Sequence, residues 1–197
     1  MPRIRSDDYE TKALAIMDSA AAIFAREGYP AAKMQDVAKA CGATKSMLYH
    51  YFPTKDDLLF AMLQEHLQRL IGALQEAVDS QAGARAKLQM VVEAYTQKSN
   101  QSRRRHMVAM NDVKFLPKPK QTPLIALQRQ LTELFAQLLR EVNKGLPEEL
   151  YKPYAMMLVG MLNWTDFWYK PTGAVKPQEL CERLTRLFLD GFVAVKK

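Results

Sequence analysis

The chain has 197 residues, 48% hydrophobic and 25% charged, with a net charge of +7. That balance supplies a sizeable core and excludes a collagen, a low-complexity polymer and a disulfide-stapled mini-protein. The longest unbroken apolar stretch, residues 155–162 (AMMLVGML), is too short to span a bilayer, so no membrane partner is expected. The N-terminus MPRIRSDDYE lacks the apolar segment of a signal peptide, and the two cysteines, Cys41 and Cys181, form no motif. Both features give the expectation of a cytoplasmic protein. The basic surplus is uneven. Residues 1–55 carry eight basic and six acidic side chains, whereas residues 98–120 carry seven basic ones against Asp112 alone. A DNA-binding reading must therefore rest on motif rather than on total charge.

Apolar residues recur at helical spacing almost throughout. Leu14, Met17, Ala21 and Phe24 predict a first helix over about 7–27, closed by Gly28 and Pro30. Two short helices follow near 34–40 and 44–51, parted by Cys41-Gly42-Ala43. Phe52-Pro53 breaks the chain. Thr54 then caps a long helix from Lys55 to about Val78, with Asp57 three residues on as in a capping box. Helices over about 84–101 and 103–115, a Pro-rich loop over 116–123, and an amphipathic helix over 124–142 come next. The last two helices cover about 148–169 and 177–194. The expected fold is all-α, with about nine helices.

The segment from Ala38 through Gly42 to Tyr49 has a helix-turn-helix pattern. Ala38 is small where two helices cross closely, and Gly42 suits a left-handed turn. Thr44 can cap the second helix, whose first turn then presents Lys45 and Ser46, short polar and basic groups of the kind that meet base edges. The same spacing also fits a helical hairpin in any α-bundle.

The next residues are more specific. Leu48-Tyr49-His50-Tyr51-Phe52-Pro53-Thr54-Lys55-Asp56-Asp57-Leu58-Leu59 closely resembles the signature of the TetR family of bacterial transcriptional regulators. Phe24-Ala25-Arg26-Glu27-Gly28-Tyr29 and Met34-Gln35-Asp36-Val37-Ala38 match the same family in order and spacing. The resemblance covers roughly residues 10–70. It implies a helix-turn-helix DNA-binding domain over 1–54 and a helical ligand-binding and dimerisation domain over 55–197. By position, it implies that Gln35 reaches the DNA edge and that Thr44, Lys45, Ser46 and Met47 face the major groove. Tyr49, His50 and Lys55 would bind phosphate, while Tyr51 and Phe52 pack the recognition helix against the next one. Two positions depart from the family pattern: Ala32 and Lys33 stand where Thr or Ser is usual. The second helix thus lacks its customary cap, and Lys33 is a candidate phosphate contact. Met47 replaces a small polar residue and suits a thymine methyl. Arg3 and Arg5 precede the first helix, either as a minor-groove arm or as a plain tail.

The C-terminal two-thirds should hold the effector and the dimer contact. Leu150, Tyr154, Met157, Leu158, Met161 and Leu162 on one helix, and Leu180, Leu184, Leu187, Phe188 and Phe192 on the next, offer the faces of a four-helix interface between two copies, or else face their own core. A cavity is expected between the fourth and eighth helices. Its candidate lining is Tyr95, Arg103, Met107, Met110, Phe115, Phe135, Trp164 and Trp168, with methionines for adaptability and arginine for an anionic group. Residues 163–173 (NWTDFWYKPTG) resemble the C-terminal region of TetR-type regulators of lipid and aromatic catabolism, several of which sense acyl-CoA thioesters. The expected effector is therefore an amphipathic carboxylic-acid derivative such as an acyl-CoA.

No Glu-x-x-His surrounds His50, His66 or His106, and no metalloprotease, phosphate-loop or dinucleotide motif occurs. Catalytic residues, metal ligands and cofactors are assigned to none, and no enzyme is expected. The reading is a homodimeric repressor on a palindromic double-stranded DNA operator, released by a small molecule. The alternatives are an effector-independent DNA-binding regulator or activator and, against the missing motifs, a helical-bundle enzyme.

Overall fold

The computed structural model describes residues 3–194, with side chains described from Asp8 onward. Nine α-helices and one 3₁₀ turn make up the described secondary structure, so the all-α expectation holds. In chain order they are α1 (Arg3–Glu27), α2 (Met34–Ala40), α3 (Lys45–Tyr51), α4 (Lys55–Val78), α5 (Ala84–Gln101), α6 (Arg103–Asn111), the 3₁₀ turn Val113–Phe115, α7 (Lys118–Val142), α8 (Glu148–Trp168) and α9 (Pro177–Ala194).

Two boundaries differ from the sequence pattern. The backbone of Arg3 and Arg5 already lies in α1 rather than before it, and their side chains lie outside the described residues. The Pro-rich stretch is helical from Lys118, not a loop to residue 123. Pro119 sits in the first turn of α7, where no backbone N–H is needed. Pro123 lies inside the helix, and the Thr122 hydroxyl donates to the Lys118 carbonyl at 3.0 Å. The Gln121 amide closes the turn before α7 by donating to the carbonyls of Lys114 and Leu116.

The chain divides into two compact units. The first comprises residues 1–67 and 102–125, the second residues 68–101 and 126–197. The first unit thus includes α6 and the start of α7 as well as α1–α3, and α6 packs along α1. Its core is built from Ile16, Phe24, Val37, Leu48, Leu58, Leu59, Met62 and Leu63, all nearly inaccessible to solvent. The second unit has a continuous apolar core that includes Leu88, Tyr95, Phe135, Leu139, Leu158, Phe188 and Phe192. In it α5 packs on both α8 and α9.

Glycine is required at two turns. Gly28 has φ +79 and closes α1, donating to Phe24 at 2.9 Å. Gly42 has φ +65; its N–H reaches the Lys39 carbonyl at 3.3 Å, and the next N–H, of Ala43, reaches Ala38 at 2.9 Å. That pair of bonds is a Schellman closure, which sets the exit angle from α2 into α3. Nothing lies within 4 Å of where a Gly42 side chain would begin, so its cost is conformational and not steric. Gly42→Ala should therefore destabilise the protein by about 1–2 kcal/mol, read by urea denaturation, without changing the core.

Candidate nucleic-acid interface

The recognition helix is short, and its geometry is set by a cap. The Thr44 hydroxyl accepts the backbone N–H of Met47 at 3.1 Å, holding the first turn of α3. Leu48 is the buried residue of α3 and anchors it to the core. Lys45, Ser46, Tyr49 and His50 consequently project to solvent with Thr44 itself, while Met47 is half-buried. The Lys45 ammonium lies 5.9 Å from the centre of the Tyr49 ring. Lys33 and Gln35, at the opening of α2, are exposed as well. Lys33 occupies the N-cap position of α2 without a side-chain cap bond, as the missing Thr or Ser implies. Lys33, Gln35, Thr44, Lys45, Ser46, Tyr49 and His50 are thus all exposed on the first unit. Tyr51 stacks on Tyr9 of α1, ring centres 4.4 Å apart, so it ties α3 to α1. Phe52 is buried.

Lys55 has a different occupation from the phosphate contact expected of it. Its ammonium donates to the carbonyls of Tyr29 at 2.9 Å, Pro30 at 3.2 Å and Ala32 at 3.0 Å. An ammonium has three donors, and all three are used within the chain. The charge also lies 4.5 Å from the Tyr29 ring centre. The Tyr29 hydroxyl donates to Asp56, and burial together with that carboxylate pushes its pKa up. Lys55, Asp56 and Tyr29 therefore clamp the α1–α2 turn to the start of α4. The Thr54 hydroxyl accepts the N–H of Asp57 at 3.0 Å and donates to its carboxylate at 2.6 Å, so the expected capping pair is present. Lys120 also binds Asp57 and is the main cause of its lowered pKa.

The arginine triplet divides by helical phase. Arg103 and Arg104 are exposed, while Arg105 is buried. The Arg105 guanidinium binds Asp18 of α1 at 2.8–2.9 Å, Glu65 of α4, and the Leu14 carbonyl at 3.2 Å. It is a structural tie within the first unit. Beside it, His66 Nε2 and His106 Nδ1 are 3.1 Å apart in a buried pair. Burial first, then His106 and Arg105, push the pKa of His66 down to about 3. Local sequence gives no signal for these ties, because their partners are 40 to 91 residues away.

The eight candidate effector residues are divided between the two units. Arg103, Met107, Met110 and Phe115 belong to the first unit, and Tyr95, Phe135, Trp164 and Trp168 to the second. Phe115 is partly exposed and stacks on Tyr29, ring centres 6.0 Å apart. Tyr95 and Phe135 do meet, edge to face at 5.8 Å, and the Tyr95 hydroxyl donates to Asn163. Trp164 and Trp168 are 64% and 52% exposed. The reason is phase: Leu158, Leu162 and Thr165 take the inward side of α8, leaving Met156, Met157, Trp164, Phe167 and Trp168 outward. The two stripes proposed for a dimer contact divide in the same way between the unit's core and its surface. Leu158, Leu162, Leu180, Phe188 and Phe192 belong to the unit's own core, while Met157 and Leu187 project outward. Apolar residues around the whole circumference of α8 are the sequence signal for a helix covered on two sides. The second unit also has a cleft of about 600 Å³ against α5 and α9, lined by Glu93, Thr96, Asn100, Gln178 and Cys181 among others. Burial raises the pKa of the Cys181 thiol, against a smaller lowering by its hydrogen bond with the buried Thr96.

These features coincide with known proteins over nearly the whole chain. The family model described as "Bacterial regulatory proteins, tetR family" matches residues 16–62, and "Tetracyclin repressor-like, C-terminal domain" matches residues 81–192. The chain belongs to the TetR family of bacterial regulatory proteins. A TetR-family transcriptional regulator from Bordetella parapertussis is 33% identical, with a TM-score of 0.86 over 94% of this chain and 97% of that one. The HTH-type transcriptional repressor KstR2 of Rhodococcus jostii is 26% identical over 91% of this chain and 90% of its own length. The crystal structure of AibR in complex with isovaleryl coenzyme A and operator DNA shares the fold, at 19% identity and a TM-score of 0.79 over 89% of this chain and 97% of that one. The matched head of this TetR-family chain spans α1 from Ile16 through the first turns of α4, so it contains the Lys55 clamp as well as α3.

The clamp alters the expected effect of a Lys55 substitution. Lys55→Ala should lower the melting temperature and weaken DNA binding by loosening the α1–α2 turn, while leaving the salt dependence of binding unchanged. A fall in the slope by about one, measured across a salt titration, would assign Lys55 to a phosphate instead.

His66 should make stability depend on pH. The unfolded chain takes up a proton at His66 near pH 6.5, while the folded one stays neutral there to about pH 3. Its contribution is therefore intact above about pH 6.5 and lost as pH falls, at roughly 1.4 kcal/mol per unit at most. Urea midpoints taken from pH 7 to about pH 5 should fall in the wild type and flatten in His66→Gln.

Proposed function

We propose that the protein is a ligand-responsive transcriptional repressor that binds a palindromic operator as a homodimer in the cytoplasm. The observation that carries the DNA-binding part is the capped, outward-facing first turn of α3, with Lys45, Ser46, Tyr49 and His50 exposed around the buried anchor Leu48. Such a helix end enters the major groove and meets base edges, while neighbouring cations meet phosphates. Residues 1–54 form the reading module in this proposal, with Lys33, Gln35, Thr44, Lys45, Ser46, Met47, Tyr49 and His50 as its contacts. Lys55 serves it by holding the α1–α2 turn. Repression in place of activation is supported by the Rhodococcus jostii repressor, whose match spans both parts of the chain.

Dimerisation is supported by the outward apolar side of α8 and α9. Met156, Met157, Trp164, Phe167, Trp168 and Leu187 form an exposed array of a kind that soluble monomers rarely carry. Gly160 on α8 and Gly191 on α9 are exposed and have open space at their Cα, which permits close helix approach. Two such helices from each copy build a four-helix contact. Trp168→Glu together with Leu187→Glu should yield a monomer in sedimentation and lose operator affinity, with the single-chain fold kept by circular dichroism.

Residues 55–197 carry the effector in this reading, and the effector is an acyl-CoA. Support comes from AibR, whose crystal structure holds isovaleryl coenzyme A with operator DNA. Within the second unit, Tyr95 and Phe135, which meet edge to face, remain candidate apolar contacts. The amide-lined cleft on α5 and α9 offers hydrogen-bond partners for the neutral, amide-bearing arm of such a molecule. Release needs only that the effector prefer a dimer with the wrong head spacing, by a few kcal/mol. Titrating short- to long-chain acyl-CoAs into the protein–operator complex should release DNA at micromolar concentration for at least one chain length. Release by none of them, read by fluorescence anisotropy, overturns the effector class and leaves the DNA-binding reading standing.

A further inference from the structure

The charge of the first unit is not where the helix-turn-helix is. Residues 1–55 carry only two more basic than acidic side chains, and Asp56, Asp57 and Glu65 of α4 bring residues 1–67 to eight basic against nine acidic. Residues 102–125 hold six basic side chains and one acidic one, and they belong to the same compact unit. The unit is basic only because of this second segment. A surface that binds a polyanion gains from each nearby cation, since every phosphate neutralised releases counterions.

The six cations are not equivalent. Arg105 is buried in its ion pairs, and Lys120 binds Asp57. Arg104 borders a cleft with Asp18 and Asp36. Lys114 and Lys118 are exposed. Lys114 is fixed beside the reading head by packing: its ammonium lies 5.2 Å from the Phe115 ring centre, and Phe115 stacks on Tyr29. Tyr29 belongs to the α1–α2 turn, whose carbonyls Lys55 holds. That turn leads directly into exposed Lys33 and Gln35 at the opening of α2. Lys118 opens α7, just after the 3₁₀ segment that Gln121 pins through the Lys114 and Leu116 carbonyls. The segment is thus docked on the turn that feeds the DNA-facing end of α2.

We propose that Lys114 and Lys118 extend the DNA-binding surface beyond the helix-turn-helix, neutralising phosphates of the duplex that flanks the bases read by α3. This inference rests on the DNA-binding reading above. Phosphate contacts of this kind raise affinity on every sequence and carry no base information. The two lysines supply charge that residues 1–67 lack, without disturbing the side chains that face the groove.

The test uses the full-length protein and the duplex that it selects from a random-sequence pool, in a long form with one extra helical turn at each end and in a trimmed form. Lys114→Gln with Lys118→Gln should bind the long duplex several-fold more weakly at about 0.1 M salt, with a salt slope smaller by roughly 0.9 for each phosphate no longer neutralised. Preference among base substitutions should be unchanged, and the deficit should shrink on the trimmed duplex. Lys144→Gln with Lys152→Gln, two exposed lysines of the second unit, should match the wild type. Unchanged affinity and slope for Lys114→Gln with Lys118→Gln on the long duplex overturn the inference. A wild-type protein that selects no duplex overturns the DNA-binding reading itself, and the two failures are thereby distinct. Because both side chains are exposed, thermal melting of the variant should match the wild type, which separates weakened phosphate binding from unfolding.

Discussion

The reading head depends on one ammonium group. Lys55 reaches from the first turn of α4 to three carbonyls of the α1–α2 turn and closes over the face of Tyr29. Those carbonyls come after a helix that ends at a left-handed glycine, where the backbone has few partners of its own. A single cation that satisfies three of them fixes the angle between α1 and α2 and ties both to α4. Asp56 and Tyr29 complete the arrangement through their carboxylate–hydroxyl hydrogen bond. Since α3 is held to α1 by the Tyr51–Tyr9 stack and to the core by Leu48, the orientation of its exposed turn depends on the same clamp. Charge that looks available for phosphate in the sequence is consumed by architecture.

A second tie serves the same unit from the other end. Arg105 bridges Asp18 on α1 and Glu65 on α4, and it stands on α6. A buried guanidinium with two carboxylates and a carbonyl is costly to desolvate and also costly to break, because removing one partner strands the others. It selects one arrangement of α1, α4 and α6 over nearby alternatives. The His66–His106 pair lies in the same region, and His66 stays uncharged, which avoids adding a further cation beside Arg105. In a TetR-family regulator, whose proposed response is a change in head spacing, well-defined ties of this sort make a small displacement of α6 or α4 felt at α1.

The outer side of the second unit is governed by area instead of charge. α8 buries Leu158, Leu162 and Thr165 inward and still presents Trp164, Phe167 and Trp168 to solvent. A helix apolar on both sides is stable in water only when something covers the second side. Self-association is the economical answer for two adjacent helices bearing small residues at Gly160 and Gly191.

Much of this molecule is determined by local sequence. The helices, the Thr44 and Thr54 caps and the Gly28 and Gly42 turns arise from spacing and backbone preference, because each involves residues within one or two turns of one another. The motif from Leu48 to Leu59 identifies the TetR-family head for the same reason. The proline-rich stretch reads as a loop because proline is disfavoured within helices, yet it is tolerated in the first turn of α7, where Pro119 sits. Tertiary structure decided the rest. It decided that Lys55 binds carbonyls 23 to 26 residues away, that Arg105 is buried while Arg103 and Arg104 are exposed, and that Phe115 lies against Tyr29. Trp164 and Trp168 fit a cavity lining by composition, and only the phase of α8 relative to its own core turns them outward. A side chain's type fixes which partners it accepts; which partner lies within hydrogen-bonding reach is fixed by the packing of distant helices.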